Sequence, residues 1–183
     1  PSDRDGHMHL YLYNIDGRFI RQIEKGKYDV DEVYGFDETT GKTYFQAAAK
    51  TPMQREIYVA DKNGKVICLT TKDGWNSAVF SGDYKYFLNN WSDRNSPYSY
   101  AIYNNKGHIV REVLNNDALI KDMAKYDLPT RDFFKFTTSE GVQLNGWIVK
   151  PKNFDPNKKY PVIFYQYSGP GSQQVVDRWT LGA

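Results

Sequence analysis

The chain has 183 residues with 24 basic and 22 acidic side chains, and this formal net charge of +2 gives no reason to expect a nucleic-acid partner. No run approaches the roughly eighteen apolar residues of a membrane-spanning helix, so no membrane segment is predicted. A single cysteine, Cys68, excludes an internal disulfide, and its apolar neighbours predict a small buried residue. Aromatic residues make up 16% of the chain, which favours a mainly β protein.

Three similar hairpin turns recur in the first two thirds of the chain. Each turn places Asn or Asp and then Gly between two runs of β-forming residues. The turn glycines Gly17, Gly64 and Gly107 are 47 and 43 residues apart, a spacing typical of a four-stranded propeller blade. The repeat therefore predicts consecutive blades.

Two of these repeats contain an earlier hairpin as well. One joins residues 33–36 to 43–47, and the other joins 78–80 to 84–88. We therefore predict a partial β-propeller of about two and a half four-stranded blades over residues 1–114. A closed propeller needs at least about four blades, so the terminal blades are expected to have open edges that favour self-association.

A change of pattern after the third repeat predicts a linker over residues 115–130. Apolar residues at helical spacing favour a short helix over 115–127, and an irregular loop is the alternative. Residues 131–183 then begin a second domain, with a hairpin over 133–149 and a polar connection over 150–159.

A run of β-branched and aromatic residues from Tyr160 to Tyr167 predicts a strand buried on both faces of a sheet. The turn at 168–171 ends it, because Pro170 has no N–H to give to a ladder. Open α/β sheets place active-site groups at such strand ends, although a structural tyrosine capping a core strand is the simpler interpretation of the local pattern. Because the chain ends at Ala183 shortly afterwards, we expect an excised piece of a longer protein.

Several stretches of the chain resemble sequences of the dipeptidyl peptidase IV family, in which a β-propeller precedes an α/β-hydrolase domain. The stretches near the domain junction are Asn145-Gly146-Trp147, Lys159-Tyr160-Pro161 and Tyr165-Gln166-Tyr167-Ser168-Gly169-Pro170-Gly171. Those similar to propeller segments are Ser2-Asp3-Arg4-Asp5-Gly6, His9-Leu10-Tyr11 and Asp31-Glu32-Val33-Tyr34-Gly35. The resemblance covers nearly the whole chain. It implies a mainly β fold in which a partial propeller is followed by the first strands of an α/β-hydrolase sheet.

The resemblance carries one functional residue onto this sequence. Tyr167 matches the family's tyrosine whose hydroxyl stabilises the oxyanion formed when the catalytic serine attacks a peptide carbonyl. No Gly-x-Ser-x-Gly is present, and all three histidines precede this segment, so the Ser-Asp-His triad is expected outside the chain. The isolated chain is accordingly expected to be inactive. Glu56 and Glu112 do not match the paired glutamates with which the family holds the substrate amino terminus.

The family further implies a serine exopeptidase that removes dipeptides from peptides with a free N-terminus, with a preference for penultimate proline or alanine. It implies no cofactor, a homodimeric parent protein and a periplasmic or otherwise extracytoplasmic location. A sister peptidase of the prolyl oligopeptidase clan is a neighbouring possibility. The alternative of another class is a non-enzymatic propeller-type module that binds peptides or proteins.

Two further patterns have modest functional interpretations. His7 and His9 are two residues apart on a predicted strand and could face one metal, but a third ligand is not evident and ordinary packing of His9 is favoured. Asn90-Trp91-Ser92 is an Asn-x-Ser sequon, which matters only in a eukaryotic secretory route.

Overall fold

The protein is described by a computed structural model that covers residues 1–126, 128–167, 169 and 171–180. It divides into two compact units. The first contains Pro1–Asn116 and the segment that begins at Asp177, and the second contains Asp117–Val176. None of the described residues belongs to a helix that is long and apolar enough to cross a membrane.

The first unit is built from antiparallel strands that follow one another as hairpins. The strands β3, β4, β5 and β6 form one four-stranded sheet in that order, β7 to β10 form a second, and β1 pairs with β2. This arrangement confirms the predicted partial propeller of two blades and a half. The strands are β1 (Tyr11–Tyr13), β2 (Phe19–Gln22), β3 (Val30–Asp37), β4 (Lys42–Ala47), β5 (Glu56–Ala60), β6 (Val66–Cys68), β7 (Trp75–Phe80), β8 (Tyr86–Ser92), β9 (Ser99–Asn104) and β10 (Ile109–Leu114).

The three repeated turns share one hydrogen-bond pattern. In the first turn the Asn14 side-chain oxygen accepts from the Arg18 N–H at 2.7 Å, and the Gly17 N–H donates to the Asn14 carbonyl at 3.0 Å. Glycine suits the last position because its φ of +78° lies in the left-handed region. The same two bonds form around Asp61 and Gly64 and around Asn104 and Gly107.

Strand β4 contributes to two cores, because alternate side chains of a strand point to opposite faces of the sheet. Phe45 packs in one core with Leu10, which precedes β1. Tyr44 lies on the opposite face and packs with Phe87 and Tyr103 of the second four-stranded sheet. Each sheet is thus held to the next by a buried apolar layer, as the blades of a propeller are.

The second unit contains a short helix and one hairpin. The helix α1 spans Asp117–Met123, inside the predicted range 115–127, whose last residue, Asp127, lies outside the described residues. Strands β11 (Arg131–Thr137) and β12 (Gln143–Val149) pair in antiparallel register, which confirms the predicted hairpin.

The predicted buried strand over residues 160–167 is wrong for this structure. These residues form no strand, and the side chains of Ile163 and Phe164 are 96% and 90% exposed. A strand of this composition needs neighbouring strands to cover both its faces. Within the described part of the second unit, β11 and β12 pair only with each other, so the segment has no ladder to join. Ser168 and Pro170 of the predicted turn lie outside the described residues.

The prediction that Cys68 is buried is also wrong. Cys68 ends β6, the edge strand of the first four-stranded sheet, and its side chain is exposed. Its thiol donates to the carbonyl of Thr70 at 3.1 Å. An edge strand has no further neighbour to cover its outer face, and local composition alone does not reveal which strand of a sheet is the edge.

Candidate functional site

Tyr167 lies in the second unit, at the end of the exposed segment 160–167. Its side chain is 59% exposed, and its hydroxyl makes no hydrogen bond within the described residues. The ring lies close to Gly169, since a methyl group added there would come within 2.7 Å of the Tyr167 Cε1 atom. Glycine therefore permits this approach. The phenol O–H can donate to a ligand that carries negative charge.

A compact loop precedes this segment and fixes where it begins. The rings of Phe154 and Tyr160 stack with their centroids 5.2 Å apart, and the Lys150 ammonium lies 5.1 Å from the centre of the Phe154 ring. The Asp155 N–H donates to the Tyr160 hydroxyl at 3.0 Å. Aromatic stacking and a backbone hydrogen bond thus hold the polar connection that the sequence predicted.

Tyr165 differs from Tyr167 in its hydrogen bonding. Its hydroxyl donates to the side-chain oxygen of Gln174 at 3.3 Å, and its side chain is 70% exposed. Tyr165 lies inside the run for which the sequence predicted a buried strand, and the structure has no strand there. Within the part of the chain that the structure describes, the hydroxyl of Tyr165 has a protein acceptor, whereas that of Tyr167 has none.

Asp177, which the sequence did not single out, forms hydrogen bonds with loops of both four-stranded sheets. Asp177 is buried, and its carboxylate accepts hydrogen bonds from the Gln54 amide at 2.8 Å and from the Arg94 N–H and guanidinium at 3.0 and 3.2 Å. The Asp177 N–H donates to the carbonyl of Met53 at 2.8 Å. Gln54 lies in the loop between β4 and β5, and Arg94 lies between β8 and β9.

The two residues after Asp177 add further contacts within the first unit. The guanidinium groups of Arg178 and Arg55 lie 4.9 and 4.7 Å from the ring centre of Trp75. Burial lowers the pKa of Arg55 from its ordinary value. The Trp179 N–H donates to the Ser92 hydroxyl at 3.1 Å. The segment is therefore attached to the blades by backbone, carboxylate and guanidinium groups together.

His7 and His9, which the sequence offered as possible metal ligands, each lie next to a carboxylate. His9 is buried, with Nδ1 2.8 Å from a Glu24 carboxylate oxygen and Nε2 3.1 Å from the Gly26 carbonyl. His7 Nδ1 lies 3.5 Å from the Asp29 carboxylate. The described residues contain no cluster of three or more His, Cys, Asp and Glu side chains that could hold a metal. These contacts support a structural interpretation of His9.

Glu56 and Glu112 do not form a pair. Glu56 is fully buried on β5, where the Tyr58 hydroxyl donates to its carboxylate at 3.2 Å and the Lys50 ammonium lies 4.0 Å away. Burial raises the pKa of Glu56, and the nearby ammonium opposes that effect. Glu112 lies on β10, a strand with every residue exposed, in the other four-stranded sheet. The structure thus gives each a separate environment.

The sequon at Asn90 falls within a blade. Asn90 and Ser92 both belong to β8, and Ser92 is fully buried. The Ser92 hydroxyl accepts the hydrogen bond from the Trp179 N–H described above. A glycosylation acceptor is normally on an accessible loop, so this position does not suit the modification.

The fold defines the class of protein: consecutive four-stranded blades of a β-propeller that lead into a further domain. Residues 1–98 match the family described as the dipeptidyl peptidase IV (DPP IV) N-terminal region. This match covers more than half of the chain, and the chain belongs to the dipeptidyl peptidase IV family.

Individual relatives agree with that assignment. The chain is 34% identical to dipeptidyl peptidase 4 of Arthroderma otae, over 97% of this chain and 24% of that protein, and 32% identical to the Trichophyton rubrum protein of the same name over the same shares. It superposes on the crystal structure of Porphyromonas gingivalis dipeptidyl peptidase 4 with a TM-score of 0.94, at 38% identity over 98% of this chain and 26% of that one. The chain spans about a quarter of the length of these relatives.

Proposed function

We propose that this chain is part of a serine-type dipeptidyl peptidase that releases N-terminal dipeptides with penultimate proline or alanine. Acyl transfer would use a Ser-Asp-His triad outside the chain. The single observation that carries the proposal is Tyr167, whose exposed hydroxyl has no partner within the described residues in a chain of this family. The names of the relatives support a peptidase, and the penultimate-residue preference is the family's.

Tyr167 has one chemical task in this mechanism. When the serine attacks the scissile carbonyl, the carbonyl oxygen becomes an oxyanion, and the phenol O–H of Tyr167 donates a hydrogen bond to it. The negative charge exists fully only in the transition state and the tetrahedral intermediate. The hydrogen bond therefore lowers the barrier more than it tightens substrate binding.

The remaining parts of the proposal concern the parent protein. Its substrates are peptides with a free amino terminus, it uses no cofactor, and it forms a homodimer outside the cytoplasm. Open blade edges support self-association of the isolated chain, since every residue of β10 is exposed. Light scattering of the isolated chain at high concentration tests this part, and a strictly monomeric species contradicts it.

The test of the enzymatic proposal is hydrolysis of a chromogenic Gly-Pro amide. The complete protein that contains this chain should release the chromophore, and a serine-directed inhibitor should abolish the release. The isolated chain of 183 residues should give only background. A folded complete protein without turnover that still binds peptides would instead favour a binding module. Turnover by the isolated chain that survives repurification and resists the inhibitor contradicts the proposed triad.

A further inference from the structure

Arg178 carries a positive charge that the proposed mechanism does not use. It belongs to the first unit, in the segment that begins at Asp177. Its guanidinium lies 4.9 Å from the ring centre of Trp75, and the Arg55 guanidinium lies 4.7 Å from the same centre. The ring attracts each cation, but the two cations repel each other. Negative charge beside them would therefore stabilise the arrangement.

The charge of Arg55 is balanced by a residue of the first unit, whereas the charge of Arg178 is not. Arg55 forms an ion pair with the Asp31 carboxylate, and its Nη1 group donates to the carbonyls of Pro52 and Gln54 at 2.8 Å each. Within the described part of the chain, no carboxylate pairs with Arg178 and no acceptor is bonded to its Nε atom, which is buried. Buried N–H groups in folded proteins nearly always have an acceptor, so this group suits an acceptor that a ligand supplies.

The residues on both sides of Arg178 hold its backbone in place. The Asp177 N–H donates to the Met53 carbonyl at 2.8 Å, and the Trp179 N–H donates to the Ser92 hydroxyl at 3.1 Å. The Asp177 carboxylate is committed to the Gln54 and Arg94 hydrogen bonds described above, so it does not neutralise Arg178. A side chain whose backbone is held in this way loses less conformational freedom when it binds a ligand.

We propose that the guanidinium of Arg178, beside the Trp75 ring, is a binding site for an organic carboxylate. A guanidinium presents paired N–H groups that match the two oxygens of a carboxylate. One carboxylate also supplies the single negative charge that balances one guanidinium. The half-buried Trp75 ring offers apolar surface to the carbon atoms of the ligand. Such binding is independent of the proposed peptidase activity.

The experiment is a titration of the 183-residue chain, labelled with 5-fluorotryptophan, with sodium acetate. Fluorine NMR gives one signal for each of the four tryptophans, and Trp75→Phe assigns the signal of Trp75. Acetate should shift this signal to saturation, and chloride at the same ionic strength should not. Trp147 is the internal reference, because the single guanidinium of Arg131 lies 4.8 Å from its ring centre. A Trp75 shift that is no larger with acetate than with chloride overturns the proposal.

Substitution of Arg178 tests which side chain binds the carboxylate. Arg178→Gln removes the charge and the paired donors, so the dissociation constant for acetate should rise at least about tenfold. Arg18→Gln is the matched control, because it removes an exposed positive charge that is paired with Asp16 in the first turn, and its acetate affinity should equal that of the wild type. Equal affinity of folded Arg178→Gln and wild type overturns the site.

Arg178→Lys covers the case in which Arg178→Gln does not fold. Lysine keeps the positive charge but lacks the planar pair of N–H groups, so we expect acetate binding to weaken about threefold or more. Unchanged affinity in this variant overturns a carboxylate site of this geometry. The same titration with phosphate at about pH 5.5, where each probe carries about one negative charge, tests the class of ligand. Tighter binding of phosphate than of acetate overturns the assignment to a carboxylate.

Discussion

The rings of Tyr44 and Tyr84 stack with their centroids 5.2 Å apart and their planes within 1° of each other. Tyr44 lies on β4, and Tyr84 lies in the turn between β7 and β8, so the stack joins the two four-stranded sheets. Tyr84 adopts a φ of +53°, which is unusual for a bulky residue. The contact between the blades thus offsets a local backbone cost.

Gly35 makes room for this stack, and we predict that Gly35→Ala destabilises the protein by about 2–3 kcal/mol. A methyl group at Gly35 would lie 1.9 Å from the Tyr84 hydroxyl oxygen, and the φ of +153° is one that alanine rarely adopts. Urea unfolding gives the free-energy change. Gly82→Ala is the control, since nothing lies within 4 Å of its added methyl group and its φ is not in the positive range. Equal stability of the two variants contradicts the prediction.

The burial of Glu56 leads us to predict that the stability of the protein falls as the pH rises. Because burial raises its pKa in the folded state, the folded protein keeps the proton to a higher pH than the unfolded chain does. The free energy of unfolding must then fall as pH rises from about 4, the ordinary value for glutamate, through the raised pKa. Glu56→Gln removes this loss. The variant should be more stable than wild type at pH 7, with the advantage shrinking below about pH 4.

Unfolding curves recorded from about pH 1.5 to pH 8 test this prediction, and Asp83→Asn provides a control of opposite sign. Hydrogen bonds from the Ser81 hydroxyl and the Lys85 N–H lower the pKa of Asp83 to about 2. Its contribution is present above the unfolded pKa of about 4 and is lost as pH falls towards 2. Asp83→Asn should therefore be less stable at neutral pH and equal to wild type in strong acid. A Glu56→Gln difference that does not vary with pH would contradict the predicted pH dependence.

We predict that truncation of Glu24, which is hydrogen-bonded to His9, causes a large loss of stability. Both side chains are buried, and Glu24 accepts from the His9 ring at 2.8 Å and from the Leu10 N–H at 3.1 Å. Glu24→Ala leaves these donors without their acceptor and should cost about 3–5 kcal/mol of folding free energy. Asp16→Ala breaks the exposed ion pair with Arg18 and should cost less than about 1 kcal/mol. Thermal unfolding of the two variants compares a buried pair with an exposed one.

The blades could be predicted from the sequence because their signals are local. Each turn depends on an Asn or Asp and a Gly a few residues apart, and the hydrogen bonds around Asn14 and Gly17 close within five residues. The alternation of β4 likewise places Tyr44 and Phe45 on opposite faces without knowledge of the partner. Elements that depend on residues close together in the sequence could therefore be predicted.

Features that depend on distant partners could not be predicted. The composition of residues 160–167 is typical of a buried strand. Such a strand forms only where neighbouring strands offer a ladder, and this segment's own sequence does not show whether they are present. Asp177 is bonded to residues 83 and 123 positions earlier, and a lone Asp in a short apolar run carries no periodic signal. The exposure of Cys68 depends on β6 being an edge. Tyr167 was singled out by family resemblance, not by its physical pattern.

The proposed role of Tyr167 predicts a specific kinetic change in the complete protein. Tyr167→Phe keeps the ring, including its approach to Gly169, and removes only the hydroxyl. Loss of one oxyanion donor should lower turnover on the order of a hundred- to a thousandfold, equivalent to about 3–4 kcal/mol of barrier. KM should change much less, because the hydrogen bond forms fully only in the transition state. Steady-state kinetics with a Gly-Pro amide provide both constants.

Tyr165→Phe is the control that the structure offers for this last prediction. It makes the same chemical change two residues earlier, and the hydroxyl it removes binds Gln174. We expect near wild-type turnover from this variant, because the Tyr165 hydroxyl has a protein acceptor and no task in the proposed reaction. If folded Tyr167→Phe retains wild-type turnover, or if Tyr165→Phe alone abolishes it, then the oxyanion donor is not Tyr167, and the exposed phenol at the end of segment 160–167 has a structural role instead.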